Sequence, residues 1–261
     1  MSTLTYADYL QLTPLLGLQK PRSTPPEHDE MLFIVIHQVY ELWFKEVLHE
    51  LDFLVLTLGR GDTARALHTL KRVLTILKVM VHQIDVLETM TPLEFLSFRE
   101  RLESGSGFQS CQFRELEFLL GAKRAEALNR YEPGTPHRAR LERRLAAPTL
   151  WDAFLKYLAT SGHAVPAEAL ARDVTQPVAA TPALQPLLVT IYRKDSAAAS
   201  VCERLVDLDE GLMEWRYRHV KMVERTIGTR RGTGGSAGAA YLKTTLDRPL
   251  FPDLWEIRAE L

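Results

Sequence analysis

The sequence predicts an all-α protein, a helical bundle with long core helices and a smaller helical insert. Three observations carry that prediction. Apolar residues recur every three or four positions across two long stretches, 29–58 and 196–228. No alternating or β-branched run bounded by turn residues reads as a strand. The breaks between periodic stretches carry helix punctuation, as at Thr91-Pro92 and Gly228.

The elements follow in order. The stretch 29–58, "DEMLFIVIHQVYELWFKEVLHELDFLVLTL", is nearly too apolar to have a solvent face and predicts a buried helix. A second helix is expected over 63–89, half exposed, closing before "TPLEF". There Thr91 supplies a cap and Pro92 the first residue of a shorter helix ending near Leu102. "ESGSGFQS" reads as a loop, and "CQFRELEFLLG" as a helix stopped by Gly121. Residues 131–186 are proline-rich and break into short helices such as "TLWDAFLKYLA", read as an insert, a lid or an oligomer surface. Residues 196–228 form the last long helix, followed by a glycine-rich loop and a short amphipathic segment. We read one domain over 1–261.

Composition narrows the function. With 46% hydrophobic and 25% charged residues the chain is ordinary folded material, and a net charge of −1 argues against nucleic acid or an anionic membrane as partner. No run reaches the length of a membrane span. Cys111 and Cys202 lie far apart without a CxxC pattern, which predicts structural thiols in a reducing compartment. The first residues show no leader pattern, so a cytoplasmic location is expected. Function has to come from a site.

Two histidines, His37 and His219, sit inside the long apolar helices. Each alone reads as a core residue, but facing helices of a bundle are where cofactor ligands are placed, and neutral imidazole is a common axial ligand of haem iron. A carboxylate-bridged di-iron centre needs two Glu-x-x-His motifs, and only Glu46 to His49 is present, with His49 expected on the surface. HExxH and clustered Cys/His ligands are absent. Haem, bound in the bundle core, is the metal centre this composition permits. Arg99 follows Phe95 and Phe98, pairing a guanidinium fork with aromatic surface, as a small zwitterionic aromatic ligand would require. A surface salt bridge to Glu94 or Glu103 is the alternative reading of Arg99. "SGSGFQS" offers amides and hydroxyls to an anion such as a propionate.

The loop "RRGTGGSAGAAY" lacks the preceding strand and the Lys-Ser/Thr pair of a phosphate loop. Gly232, Gly234, Gly235 and Gly238 permit close approach to a ligand, and Thr233 and Ser236 add hydroxyls, so it is expected to close over a bound amino acid.

Six motifs in order, "YADYLQL", "HDEMLFIVIHQVYELWFKEVLHELD", "LETMTPLEFLSFRE", "SGFQSCQFRELE", "WRYRHVKMVERTIG" and "GTGGSAG" with "YL" beyond it, give the chain a resemblance to the tryptophan 2,3-dioxygenase family. The resemblance implies an all-helical homotetramer with one b-type haem per subunit. It implies insertion of both atoms of dioxygen into the indole C2–C3 bond of L-tryptophan, giving N-formyl-L-kynurenine. By it His219 is the axial haem ligand, His37 the distal histidine near the indole nitrogen, Arg99 the carboxylate anchor and Thr233 the contact to the zwitterion. Phe33, Phe95 and Leu42 become apolar walls around the indole. Ser106 and Gly107 lie close to haem and substrate. Tyr6, Tyr9 and Leu10, in an arm over 1–28, are implied to reach a neighbouring subunit's site.

The chain departs from the family pattern at Ala237, where a second serine is usual, and at Phe95 and Phe113, where some members carry tyrosine. A poorer match is expected around "GAKRAEALNR". The same anchors would also serve a monooxygenase that forms a 2-oxindole from tryptophan or a substituted tryptophan, or a haem sensor without turnover.

Overall fold

The architecture is that of a computed structural model, which describes residues 3–233 and 239–261. Thirteen helical segments are labelled in chain order: α1 (Tyr6–Leu10), α2 (Leu12–Leu16), α3 (His28–Gly59), α4 (Thr63–Leu87), α5 (Pro92–Phe98), α6 (Cys111–Leu119), α7 (Pro136–Ala146), α8 (Leu150–Thr160), α9 (Ala167–Leu170), α10 (Gln185–Lys194), α11 (Ser196–Ile227), α12 (Ala239–Lys243) and α13 (Pro252–Glu256). Among the described residues there is no strand, so the chain is all-α, as its periodicity predicts.

The core grows from α3, α4 and α11. Along α3 the buried residues Ile36, Tyr40, Phe44, Val47, Leu51, Leu54 and Leu58 step by three and four and form one stripe. α4 starts where the Asp62 side chain accepts the Arg65 amide, and it packs against both α3 and α11. The Tyr40 hydroxyl donates to the Met80 carbonyl at 2.8 Å, pinning α3 to α4.

Local signals set the remaining ends. Thr91 and Glu94 form a capping box at α5, which tightens after Phe98 into a 3-10 turn over Arg99–Leu102. Within the predicted loop, Ser106 caps a second 3-10 turn, Gly107–Gln109. Gly121 stops the chain after α6 at φ +100, and a Cβ there would lie 2.5 Å from Val178 Cγ2.

Within residues 131–186, one helix joins the main core. α8 buries Leu150, Trp151, Phe154, Leu155 and Leu158 in the main core and packs on α3. The reason is its amphipathic pattern, opened by a capping box between Thr149 and Asp152 and braced by Arg172, which reaches the two Asp152 carboxylate oxygens at 2.6 and 2.8 Å. The C-terminal segment folds back onto α11. There the fully buried Asp209 carboxylate accepts the Leu250 and Phe251 amides and the Trp255 indole N–H. No described helix is long and apolar enough to cross a membrane.

Candidate functional site

Where α3 and α11 face each other across the bundle, a cavity of about 270 Å³ opens, lined by both His37 and His219. Side chains reach it by helical phase. At about 100° per residue, Phe33, Tyr40, Glu41 and Phe44 all lie within about 60° of His37 around α3, and all four line the cavity. Leu42 sits about 140° away by the same count. It is 50% exposed and borders a separate surface depression with Val39, Trp43, Glu46, Arg72 and Ile76. Leu42, which the resemblance implies as an apolar wall around the indole, is not among the residues that line this cavity. His49, too, is exposed.

The cavity has two aromatic zones. Around His37, the Phe33 ring lies tilted against the imidazole, 4.1 Å between centroids, and 5.7 Å from Phe95. Around His219, the Trp215 indole lies between Tyr40, Phe44 and Phe113, with centroids 5.2 to 6.1 Å apart. Sequence reading missed this collar. Its signal was available, since Trp215 precedes His219 by four residues and Phe44 follows His37 by seven.

The two imidazoles are tuned alike. Burial, helped by the proximity of His37, pushes the His219 pKa down to about 4, so the ring is neutral near pH 7 and keeps a lone pair for a metal. Burial also lowers the pKa of His37, against the opposing Phe33 carbonyl and Glu41. His37 Nδ1 lies 2.7 Å from the Phe33 carbonyl, which can only accept. Nδ1 therefore carries the proton in the neutral ring, and Nε2 is left as an acceptor.

Arg99, Ser106, Gly107 and Thr233 line the same cavity. Arg99 donates through Nη2 to the Arg231 carbonyl, while its buried Nε has no partner among the described residues. The salt bridges to Glu94 or Glu103 weighed from sequence do not occur among the described residues. Thr233 donates to the Gly105 carbonyl, so the start of the glycine-rich loop docks on the segment that follows α5. Ser106 Oγ accepts the Phe108 amide at 3.3 Å as a cap. Gly234, Gly235, Ser236, Ala237 and Gly238 lie outside the described residues. Tyr6, Tyr9 and Leu10 stand apart from the cavity on α1, 75%, 73% and 40% exposed.

The described residues hold no group of three or more His, Cys, Asp or Glu able to bind a metal. Both cysteines are buried, and burial raises their thiols to about 11 at Cys111 and about 12 at Cys202.

Fold and site together define an all-helical protein whose core cavity is bordered by one neutral imidazole from each of two long helices. Comparison with known proteins gives that class a family. A family model described as tryptophan 2,3-dioxygenase matches residues 1–134 and 168–261. Proteins named tryptophan 2,3-dioxygenase are similar over nearly the whole chain. The one from Herpetosiphon aurantiacus is 60% identical over 99% of this chain and 98% of its own length. The one from Anaeromyxobacter sp. (strain K) is 59% identical over 100% and 97%, and that from Kineococcus radiotolerans 46% over 99% and 91%. The chain belongs to the tryptophan 2,3-dioxygenase family. The family model runs through "GAKRAEALNR" and leaves 135–167 unmatched, so the weaker match falls later than expected, on α7 and α8.

Proposed function

We propose that this chain is a haem-dependent oxygenase that uses dioxygen to cleave the indole C2–C3 bond of L-tryptophan, giving N-formyl-L-kynurenine. The observation that carries the reading is a single cavity bordered by His219, His37 and Arg99. The donor set fits a haem: a neutral imidazole at His219, and flat apolar walls from Phe44, Ile84, Leu87, Trp215 and Val220. Bound through His219, ferrous haem b would supply an iron that binds dioxygen.

The chain's own residues then orient the substrate. His37 Nε2 accepts the indole N–H, and Phe33 and Phe95 flank the ring. The Arg99 N–H groups that the Arg231 carbonyl does not engage remain to take the carboxylate, and the Thr233 oxygen keeps lone pairs for the ammonium. Ser106 and Gly107 close the side of the pocket. These contacts fix the indole edge and keep water out, so the rate gain comes chiefly from positioning.

Family membership further supports a homotetramer, with Tyr6, Tyr9 and Leu10 of one subunit covering the site of another. Two buried free thiols suit a reducing compartment such as the cytoplasm.

The deciding experiment is mass spectrometry of the product formed from L-tryptophan and labelled dioxygen by the ferrous, haem-loaded protein. Two labelled atoms in a ring-opened product establish the dioxygenase. One labelled atom identifies a 2-oxindole-forming monooxygenase, and a haem spectrum with no tryptophan-dependent oxygen uptake and no product leaves a haem sensor.

A further inference from the structure

One wall of the cavity is held from outside the main core. Phe108, half-buried in the 3-10 turn Gly107–Gln109, borders the cavity two residues after Ser106. The Arg130 guanidinium lies over its ring, 4.9 Å from the centroid, and the Tyr131 hydroxyl donates to the Gln109 carbonyl at 3.3 Å. Two consecutive residues thus grip two consecutive residues of the turn, one through the ring and one through the backbone.

The grip is itself anchored. Arg138 of α7 donates through Nη1 to the Leu128 carbonyl at 3.0 Å and the Tyr131 carbonyl at 3.1 Å, and through Nε to Glu142 at 2.8 Å. A small second core of Cys111, Phe118, Leu128 and Leu141, with Tyr131 packed against it, ties α6, the 3-10 turn Ala125–Arg130 and α7 together. The other phenylalanines that border the cavity, Phe33, Phe44, Phe95 and Phe113, sit in or against the main core. α7 lies in the stretch 135–167 that the family model leaves unmatched, so the hold on the Phe108 wall draws on a segment the family pattern does not cover.

The position of the wall says what it would limit. Thr233 donates to the Gly105 carbonyl, and Ser106 caps the turn that carries Phe108, so the wall stands beside the residues given above to the amino-acid end of the substrate. We propose that Phe108 is a specificity-determining wall that limits substituents on the substrate side chain near that end, and that Arg130 and Tyr131, locked by Arg138, are the positioning residues that hold it. The assignment rests on the tryptophan reading above. A half-buried ring held only by its own backbone can turn away from added bulk. A guanidinium over its face and a second bond to the neighbouring carbonyl oppose that movement.

The test compares kcat/KM of the haem-loaded chain for L-tryptophan, for a tryptophan methylated at the side-chain Cβ, and for 6-methyltryptophan, whose methyl lies at the far end of the molecule. Phe108→Ala is expected to raise the Cβ-methyl analogue relative to L-tryptophan by about tenfold, the scale of room for one methyl group. Arg130→Gln gives the same shift at about two- to fivefold, the scale of an exposed cation–π contact, and Arg138→Gln moves the ratio in the same direction. Arg130→Lys, which keeps a cation over the ring, stays close to the wild type. Arg130 is exposed, so its replacement leaves the fold standing. The 6-methyl analogue keeps its wild-type ratio throughout. Ratios that do not move in Phe108→Ala and Arg130→Gln overturn the proposal, and equal shifts for both analogues overturn it in favour of a general loosening. Hydrogen exchange of the 106–110 amides, read by mass spectrometry on the same proteins, checks the grip without turnover: it quickens in Arg130→Gln and not in Arg130→Lys. A wild-type chain that does not turn over L-tryptophan removes the substrate reading and the specificity role with it, whereas unchanged exchange in Arg130→Gln removes the grip.

Discussion

The Trp215 indole and the His219 imidazole lie parallel, 1° between planes and 5.4 Å between centroids, one turn apart on α11. The stack fixes the plane of the imidazole, and Phe113, Tyr40 and Phe44 in turn hold the indole. An imidazole held in one rotamer loses little freedom when it binds a metal.

Trp215→Phe keeps an aromatic face beside His219, whereas Trp215→Ala opens space beside it. Haem affinity, measured by absorbance titration, is expected to fall by about tenfold in the alanine variant and far less in the phenylalanine variant, an effect on the order of 1.4 kcal/mol. Equal losses in both would show that the stack does not orient the ligand.

Arg99 faces two partners, the Arg231 carbonyl and the proposed substrate carboxylate. Arg99→Ala is expected to keep haem and to weaken tryptophan binding by about 2–3 kcal/mol, the scale for losing a charged hydrogen-bond partner in a closed site. Tryptamine, which lacks the carboxylate, should bind the two proteins alike. A variant that weakens both ligands equally would point to loop docking as the sole role of Arg99.

Tyr40 links stability to alkaline pH. Burial raises its phenol from 10.0 to about 12. The folded state therefore keeps a proton that the unfolded chain releases, and the stability this contributes is complete below pH 10 and lost as pH rises through 12. Tyr40→Phe also forfeits the hydrogen bond to Met80, about 1 kcal/mol at neutral pH. Urea unfolding of the two proteins is expected to show the advantage of the wild type falling by about 2–3 kcal/mol across that alkaline window, so that the phenylalanine variant becomes the more stable of the two. A difference that does not change with pH would mean the phenol ionises as freely in the folded chain as in the unfolded one.

Gly121 combines a positive φ of +100 with a Cβ direction blocked by Val178. Gly121→Ala is expected to cost about 2–4 kcal/mol, part from backbone strain and part from overpacking. Adding Val178→Ala should recover only the packing part, so full recovery in thermal melts would show that the backbone carries no strain.

Helix positions were legible in the sequence because they depend on neighbours a few residues away. The spacing along 29–58 gave α3 to within a residue at each end, and Thr91 with Pro92 marked the start of α5. Gly121 and Gly228 marked stops for the same local reason, and both have positive φ. His37 and His219 could be singled out as polar residues inside apolar helices. Their sharing of one cavity was only an expectation.

The rest depends on residues distant in sequence. Leu42 has the apolar character of a wall residue, but the phase of α3, once His37 faces the cavity, turns it outward. Residues 131–186 read as an insert, a lid or an oligomer surface because prolines interrupt them; that α8 packs on α3, with Trp151 against Phe251 about a hundred residues on, depends on parts of the chain distant in sequence. The pair of Arg216 and Glu117 is the clearest case. The two are 99 residues apart, and nothing in either local stretch says that their charges meet. Periodicity and caps are written in short-range order and survive in the sequence alone; which faces meet, and therefore which charges share a cavity, follows from packing the helices together.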